Sequence, residues 1–454
     1  MKGYLVTAIL LFYASGLLAQ QDGWTSLFDG KTLTGWKELA GSARYTVENG
    51  AITGAGVAGS GNSFLVTEKE FGDFVLEMDV KIDDTSSNSG IQLRSHYDPG
   101  GHGGNGLVYG CQYEIDPSSR RWTGGIYDEG RRGWLYPVSL NHSVQSAFKV
   151  GQWNHIRVEC IGHVIRTWVD GLATACVIDT VDNKGFIGLQ VHAISKPDQA
   201  GKKVYFKNIR IRTTDFKPGF FPPGIYVVNA IPNTLTDYEK KSGWRLLFDG
   251  STTKGWVGAY QNTFPEHGWK VDTGVLTVLA GKGEMSTNGG DIVTTAQYKA
   301  FDLSFDFRLT PGANSGVKYF VTLKDEHTGN AGIGLEYQLL DDSLHPDAKL
   351  GRNGDRTLSS LYDLIPANKQ QRFLRPIGQW NTGRIVVYPD NHVEHYLNGI
   401  KVLEYERGSA DFRALVAISK YKIYPNFGEA RQGHILLQDH GNEVSFRSIK
   451  IREL

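Results

Sequence analysis

The sequence Trp24-Thr-Ser-Leu-Phe-Asp-Gly30, followed by Gly35-Trp36, returns as Trp244-Arg-Leu-Leu-Phe-Asp-Gly250, followed by Gly255-Trp256, at an offset of 220. Further pairs keep the same order along both halves. Asn88-Ser-Gly90 recurs as Asn314-Ser-Gly316, Gly151-Gln-Trp-Asn154 as Gly378-Gln-Trp-Asn381, and Phe206-Lys-Asn-Ile-Arg-Ile-Arg212 as Phe446-Arg-Ser-Ile-Lys-Ile-Arg452. A chain built this way must fold as two copies of one unit. Its 454 residues give each copy enough length to bury a core of its own.

Within each copy the pattern has period two. Phe74, Leu76, Met78, Val80 and Ile82 alternate with polar residues, and so do Phe301, Leu303, Phe305, Phe307 and Leu309. Such alternation marks half-buried strands. Short alternating runs separated by Gly, Asn and Asp turns, with almost no helical periodicity, predict an all-β antiparallel sandwich of jelly-roll type in each half. The expected division is a first domain at 20–212, a Pro-rich linker at 213–240 and a second domain at 241–454. The linker carries Pro218, Pro222, Pro223 and Pro232, and a short helix is expected from Leu235 to about Lys241, capped by Asn233 or Thr234.

Residues 1–19 combine Lys2, an apolar run from Leu5 to Tyr13 and small residues ending at Ala19, the pattern of a cleavable signal peptide. Export to the periplasm or the extracellular space is expected, with no transmembrane segment. Lys plus Arg and Asp plus Glu are both 48, so no overall basic field would attract nucleic acid. Cys111, Cys160 and Cys176 are too few for a disulfide framework and are expected to be buried thiols, a 160 to 176 bridge being the less favoured alternative. Gly101-His-Gly103-Gly-Asn-Gly106 spells a dinucleotide fingerprint, yet it precedes a strand and opens no helix, so no nucleotide cofactor is expected.

Strand phase identifies the polar faces. Gln92 and Arg94 oppose Ile91 and Leu93, and Lys318 takes the place of Gln92 in the second half. On the next strand Gln112, Glu114 and Asp116 share one side, matched by Glu336 and Gln338. Gln190 with His192, and Gln438 with His440, again lie two apart. A carboxylate, a cation or amides, and a histidine thus share a surface in each half, a set suited to acid/base chemistry or to binding a polyol. Asp341, Asp342 and His345 follow closely and offer oxygen and imidazole ligands for a divalent cation such as Ca or Mn, although Asp-rich turns also occur without metal. In the first half Arg131 and Trp134 lie in a Gly-flanked loop that suits a sugar-binding rim or an ordinary ion-paired surface.

The paired Leu-Phe-Asp-Gly openings, the Asn-Ser-Gly strands, Gly-Leu-Glu336-Tyr-Gln338, Gly-Gln-Trp-Asn, Val393-Glu-His395-Tyr-Leu-Asn-Gly399 and Leu437-Gln-Asp-His440-Gly together resemble the 3-keto-disaccharide hydrolase domain family, as two tandem copies. The resemblance implies a concanavalin-like jelly roll in each half and cleavage of a glycoside whose C3 hydroxyl a separate enzyme has oxidised. The second half is the more typical copy. A C3 ketone acidifies the C2 hydrogen, a base removes it, the enolate expels the C1 substituent, and water adds. His440 or Glu336 is the candidate base, Lys318 or a cation the enolate stabiliser, and His395 a further candidate; Glu114 and His192 are the first-half counterparts. Two other readings remain at this level: a non-catalytic carbohydrate-binding protein, and an ordinary glycosidase using two carboxylates such as Glu114 and Asp116.

Overall fold

The computed structural model describes residues 23–195, 197, 200–281, 289–323, 332–370 and 373–454; residues 1–19, where a signal peptide is expected, lie outside them. The fold is all-β, with two face-to-face sheets in each half. In the first half a nine-stranded sheet runs in the order Val228–Asn229, Leu172–Ile178, Val164–Val169, Asn154–Ile161, Phe74–Ile82, Lys203–Arg212, Ala51–Ala55 and Arg44–Glu48, with Thr25–Ser26 joined to Lys203–Arg212. The facing sheet has seven strands: Gly133–Tyr136, Ile126–Glu129, Leu107–Ile115, Ser89–Asp98, Phe186–Val191, Ser63–Thr67 and Trp36–Leu39. In the second half an eight-stranded sheet centred on Phe301–Leu309 and Val444–Glu453 faces a five-stranded one: Trp256–Gly258, Ile292–Thr294, His434–Leu437, Asn314–Thr322 and Ile333–Leu340.

The alternating residues do what their period requires. Phe74, Leu76, Met78, Val80 and Ile82 are at most 1% exposed and enter one core, while Phe301, Leu303, Phe305 and Phe307 enter the other. Burial on this scale, at about 25 cal/mol per Å² of apolar surface, is what holds the sheets together. All three cysteines are buried free thiols. The repeated Trp36 and Trp256 each donate an indole N–H to a backbone oxygen nine residues upstream, Leu27 at 2.7 Å and Leu247 at 2.6 Å, which explains why the opening motif is duplicated as a unit.

Two local expectations change. Between the halves the chain is not free: Val228–Asn229 adds a parallel strand to Leu172–Ile178. The short helix is Asp237–Lys241 and its N-cap is Thr236, which forms a reciprocal capping box with Glu239. Thr236 outcompetes Asn233 and Thr234 because only it has a Glu three residues on. Asn233 instead, at φ 53°, bonds Gly274 and Ser448 through its side chain.

Candidate functional site

In the second half, Lys318 on Asn314–Thr322 pairs directly with Glu336 on Ile333–Leu340. Its Nζ lies 4.0 Å from Glu336 Oε2. Glu336 is only 5% exposed, and burial pushes its carboxyl above the usual range against the pull of Lys318 and Lys420. The Gln338 amide, with its nitrogen turned to the carboxylate, donates to Glu336 Oε1 at 3.0 Å. The Asn-Ser-Gly motif builds the floor of this arrangement. A Cβ on Gly316 would stand 2.5 Å from Glu336 Oε1, so only glycine lets that side chain lie across the neighbouring strand. Ser315 Oγ donates to Gln438 O at 2.8 Å and locks the third strand alongside.

His440 follows the strand His434–Leu437 and is half-buried. Burial lowers its pKa from 6.5, opposed by Asp347 and Asp291 and reinforced by Lys318, so its imidazole is neutral at pH 7. The His345 ring lies edge-on to it, with centroids 6.3 Å apart. Burial raises the Asp291 carboxyl against the pull of the nearby Lys318 ammonium, and Asp291 accepts the Asp439 N–H at 2.8 Å. The wall is completed by residues that strand phase did not indicate. Asp347 accepts from the Tyr362 hydroxyl at 2.7 Å and from Arg356 at 2.9 Å, and the Lys420 ammonium stands 4.0 Å from the Tyr362 ring centroid, its pKa lowered by burial. Lys420 is delivered by the helix Ala410–Ile418, capped by Ser409, an insertion with no counterpart in the period-two pattern.

The first half has the same frame with the charges exchanged. Gln92 and Gln112 occupy the paired positions of Lys318 and Glu336. A Cβ on Gly90 would meet the Gln112 side chain at 2.2 Å, and Ser89 Oγ donates to Gln190 O at 2.7 Å, as in the other copy. Ser95 Oγ donates to Gln92 Oε1, Gln92 Nε2 to Gln112 Oε1, and Gln112 Nε2 to Glu114 Oε2, at 2.7, 2.6 and 2.9 Å. Asn88 Nδ2 donates to the other Glu114 oxygen at 2.7 Å. Every donor in the chain points toward one carboxylate, yet burial still pushes Glu114 up to about 7. Glu129, held by Asn62 at 3.1 Å and by the buried Gln190 at 3.5 Å, is likewise pushed up to about 7 by burial. Gln112, Glu114, Trp134 and His192 line one cavity of about 230 Å³ together with Asn62, Asn88, Arg120, Tyr127 and Glu129. His192 is exposed at its mouth, its Nδ1 3.1 Å from Ala193 O.

Several expected site residues lie elsewhere. Arg94 is 2% exposed; a β-bulge after Leu93, with Arg94 at φ 48°, turns it off the polar face. Its guanidinium donates to Gly72 O, Gly162 O and Cys160 O at 2.8, 2.8 and 2.9 Å and tethers the opposite sheet. Phe320 occupies the same bulge in the second half, at φ 53°. Arg131 leaves the cavity and pairs with Asp128 and Asp182, because these carboxylates are almost fully buried and need a cation. His395 is a core residue, 0% exposed, between Tyr319 Oη at 2.9 Å and Ser359 O at 3.2 Å, and desolvation lowers its pKa to about 4. Gln92 and Gln190 are buried supports, while Gln438 is half-buried.

The cation reading of Asp341, Asp342 and His345 does not fit. Asp341 accepts the backbone N–H groups of Gly312, Ser343 and Leu344 at 2.8, 2.9 and 3.3 Å. Asp342 accepts from Leu358 N at 2.7 Å and pairs with Lys369 at 3.0 Å, and His345 Nδ1 accepts from Asp347 N at 3.2 Å. These bonds shape the Asp-rich turn and engage both oxygens of each carboxylate and Nδ1 of His345. Among the described residues the acidic and imidazole atoms that do converge belong to His392, Glu394 and Glu404, on the eight-stranded sheet, where the Lys401 ammonium sits 3.1 Å from Glu394 and 2.6 Å from Glu404.

The sequence profile of the family described as 3-keto-alpha-glucoside-1,2-lyase-like domain matches residues 23–212 and 243–452. A 3-keto-disaccharide hydrolase of Bacteroides thetaiotaomicron is 36% identical over 233 residues, 47% of this chain and 79% of that protein. A crystal structure of a candidate glycosyl hydrolase from Parabacteroides distasonis is 31% identical, with a TM-score of 0.43, covering 49% of this chain and all of that one. A carbohydrate-binding module from Bacillus subtilis is 18% identical with a TM-score of 0.27, over 40% of this chain and 97% of that one.

Proposed function

The chain belongs to the 3-keto-alpha-glucoside-1,2-lyase-like domain family, and from that premise we propose that its second half cleaves 3-keto-glycosides by C2 deprotonation, elimination and hydration. The observation that carries the reading is the presence on one face of a neutral imidazole, His440, and an ammonium, Lys318, anchored 4.0 Å from a buried carboxylate. His440 takes the C2 proton, since a base must be unprotonated to act and burial keeps this ring so. The electron pair moves into the C2–C3 bond and the charge settles on the C3 oxygen, where Lys318 stabilises it. Expulsion of the C1 oxygen needs a proton, which His440 returns once it carries one. Water then adds at C1, and the sum is hydrolysis. Glu336 positions Lys318 and does not touch the sugar in this reading; its shallow exposure supports that.

The substrate requires a prior oxidation at C3 by a separate enzyme, and export to the periplasm or beyond is part of the proposal. The test is aglycone release from a paired set, a glucoside and its 3-keto derivative. Release from the 3-keto compound alone supports the reading. Equal release from both would replace it with an ordinary glycosidase. Mass spectrometry of exported protein beginning near Gln20 checks the location, and retention of Met1 would refute it.

A further inference from the structure

We propose that the first half carries a separate, non-catalytic cleft for a neutral saccharide of two rings, walled by the Gly-rich loop at residues 100–106. The cavity at Glu114 does not end at His192. A second one, of about 640 Å³, shares Asn62, Glu129 and His192 with it and continues between residues 40–42, 59–61 and the loop residues His102, Asn105 and Gly106. The loop joins the paired strands Ser89–Asp98 and Leu107–Ile115, and at its two ends, Gly101 and Gly106, it has no room for a side chain. A Cβ on Gly106 would stand 2.3 Å from the Tyr97 hydroxyl and one on Gly101 2.4 Å from Leu107. Gly101 and Gly106 therefore serve the shape of the wall rather than a phosphate.

The lining fits an uncharged polyol. Asn62, Asn88 and Gln112 give amides that donate and accept, Tyr127 gives a hydroxyl, and Tyr127 and Trp134 stand edge to face at 5.3 Å, offering ring surface to the C–H face of a sugar. The Asn88 Oδ1 and Gln190 Oε1 atoms are buried without a hydrogen-bond partner among the described residues, a cost that a ligand hydroxyl would remove at Asn88, which lines the cavity. With their carboxyls pushed up to about 7, Glu114 and Glu129 also act as hydroxyl-group donors on the acid side of neutrality. The lysine is missing: Gln92 stands where Lys318 stands in the other copy, and the cation that does line the cavity, Arg120, is already paired with Asp116 at 2.7 Å. Without the lysine a C3 enolate has no counter-charge at that position, so this half binds and does not cleave; that second clause rests on the function proposed above.

The experiment uses the full chain carrying Lys318→Met, which removes the proposed turnover, titrated calorimetrically at pH 6 with methyl α-glucoside as a one-ring probe and trehalose as a two-ring probe. Trehalose binding should weaken at least tenfold in Asn62→Ala and in Glu129→Ala. Asn62 is half-buried at the mouth, so its variant keeps the proposal testable where Glu129→Ala does not fold. Shortening the Gly101–Gly106 loop should weaken trehalose tenfold and leave methyl α-glucoside unchanged. Binding of neither sugar at about 10 mM, or unchanged trehalose affinity in Asn62→Ala, overturns the cleft. A hundredfold loss of 3-keto-glucoside turnover on Glu129→Ala in the otherwise native chain overturns the non-catalytic assignment. Failure of the native chain to cleave any 3-keto-glucoside would sink the function proposed above and leave the binding result standing.

Discussion

Glu114 makes the burial of a carboxyl measurable as a pH dependence of stability. Its pKa is 4.5 in an unfolded chain and about 7 here, raised by desolvation against the pull of Asn88 and Gln112. The folded state therefore binds its proton more tightly than the unfolded one. Below pH 4.5 both states are protonated and the full benefit is present; as pH rises through 7 the benefit is lost. A rise of this size is worth about 3 kcal/mol. Glu129, also at about 7, adds a coupled contribution of the same sign. Thermal unfolding between pH 5 and pH 8 should show the first half weakening with pH, by roughly 6–12 °C for a unit of this size. Glu114→Gln cannot ionise, and also removes its charge from Glu129, so it should flatten that dependence. Its absolute stability is a poorer guide, because the new amide turns an NH₂ toward the Asn88 and Gln112 donors. A wild-type melting temperature that is level from pH 5 to 8, or an equal slope in Glu114→Gln, would refute the account.

Lys318→Met and His440→Ala should each lower turnover of a 3-keto-glucoside by roughly 10²-fold or more with the fold intact, checked by steady-state kinetics beside circular dichroism. Because His440 must be neutral and burial lowers its pKa below 6.5, the acidic limb of the kcat/KM profile should fall below pH 6.5; a limb above that value would exclude it as the base. Gly316→Ala should cost about 1–3 kcal/mol and at least tenfold in turnover, since the added methyl must displace Glu336 from Lys318; denaturant titration and kinetics read the two losses separately. Asp341→Ala should destabilise by about 1–3 kcal/mol, and its melting curve should respond to EDTA exactly as little as the parent's, because three backbone N–H groups, not a cation, hold that carboxylate.

Period two carried most of the fold into view, because a strand with one buried face has no other way to be written. Residues such as Phe74 to Ile82 and Phe301 to Phe307 were legible for that reason. The same rule found Lys318, Glu336, Gln112 and Glu114 on their open faces. It failed at Arg94, where a single left-handed residue in a bulge reverses the phase of everything after it, and a bulge leaves no mark in a pattern of alternating polarity. Phase also could not tell His395, which faces a core and is satisfied there by Tyr319 and Ser359, from a histidine facing solvent. Glu129 was within reach: Tyr127 and Glu129 sit two apart on the strand Ile126–Glu129, but the glycines around it made the segment look like a loop. Lys420 was not, since it follows a helix whose placement is settled only by tertiary packing.

The two copies differ in a way that electrostatics constrains. A buried carboxylate next to an ammonium is tolerable, and either one alone is costly, so the Lys318–Glu336 pair can be lost only as a pair. The first half has done this by placing Gln92 against Gln112, whose amides bond each other at 2.6 Å. One carboxylate is nevertheless retained one pleat further along, as Glu114, opposite Gly90. There burial holds its proton to about 7, opposed by amide donors and with no lysine in the paired position. Three exchanges on one face of one strand pair, Lys318 for Gln92, Glu336 for Gln112 and Gln338 for Glu114, thus separate a charged site from one that is near neutral, while the Asn-Ser-Gly floor and the third strand are the same in both. Restoring the pair should work in reverse only if both changes are made together: Gln92→Lys with Gln112→Glu should fold, whereas Gln92→Lys alone leaves an unpartnered ammonium beside Ser95 and should melt well below both the parent and the double variant. A single variant as stable as the double one would show that the pair is not coupled, and with it that the exchange between the copies carries no electrostatic meaning.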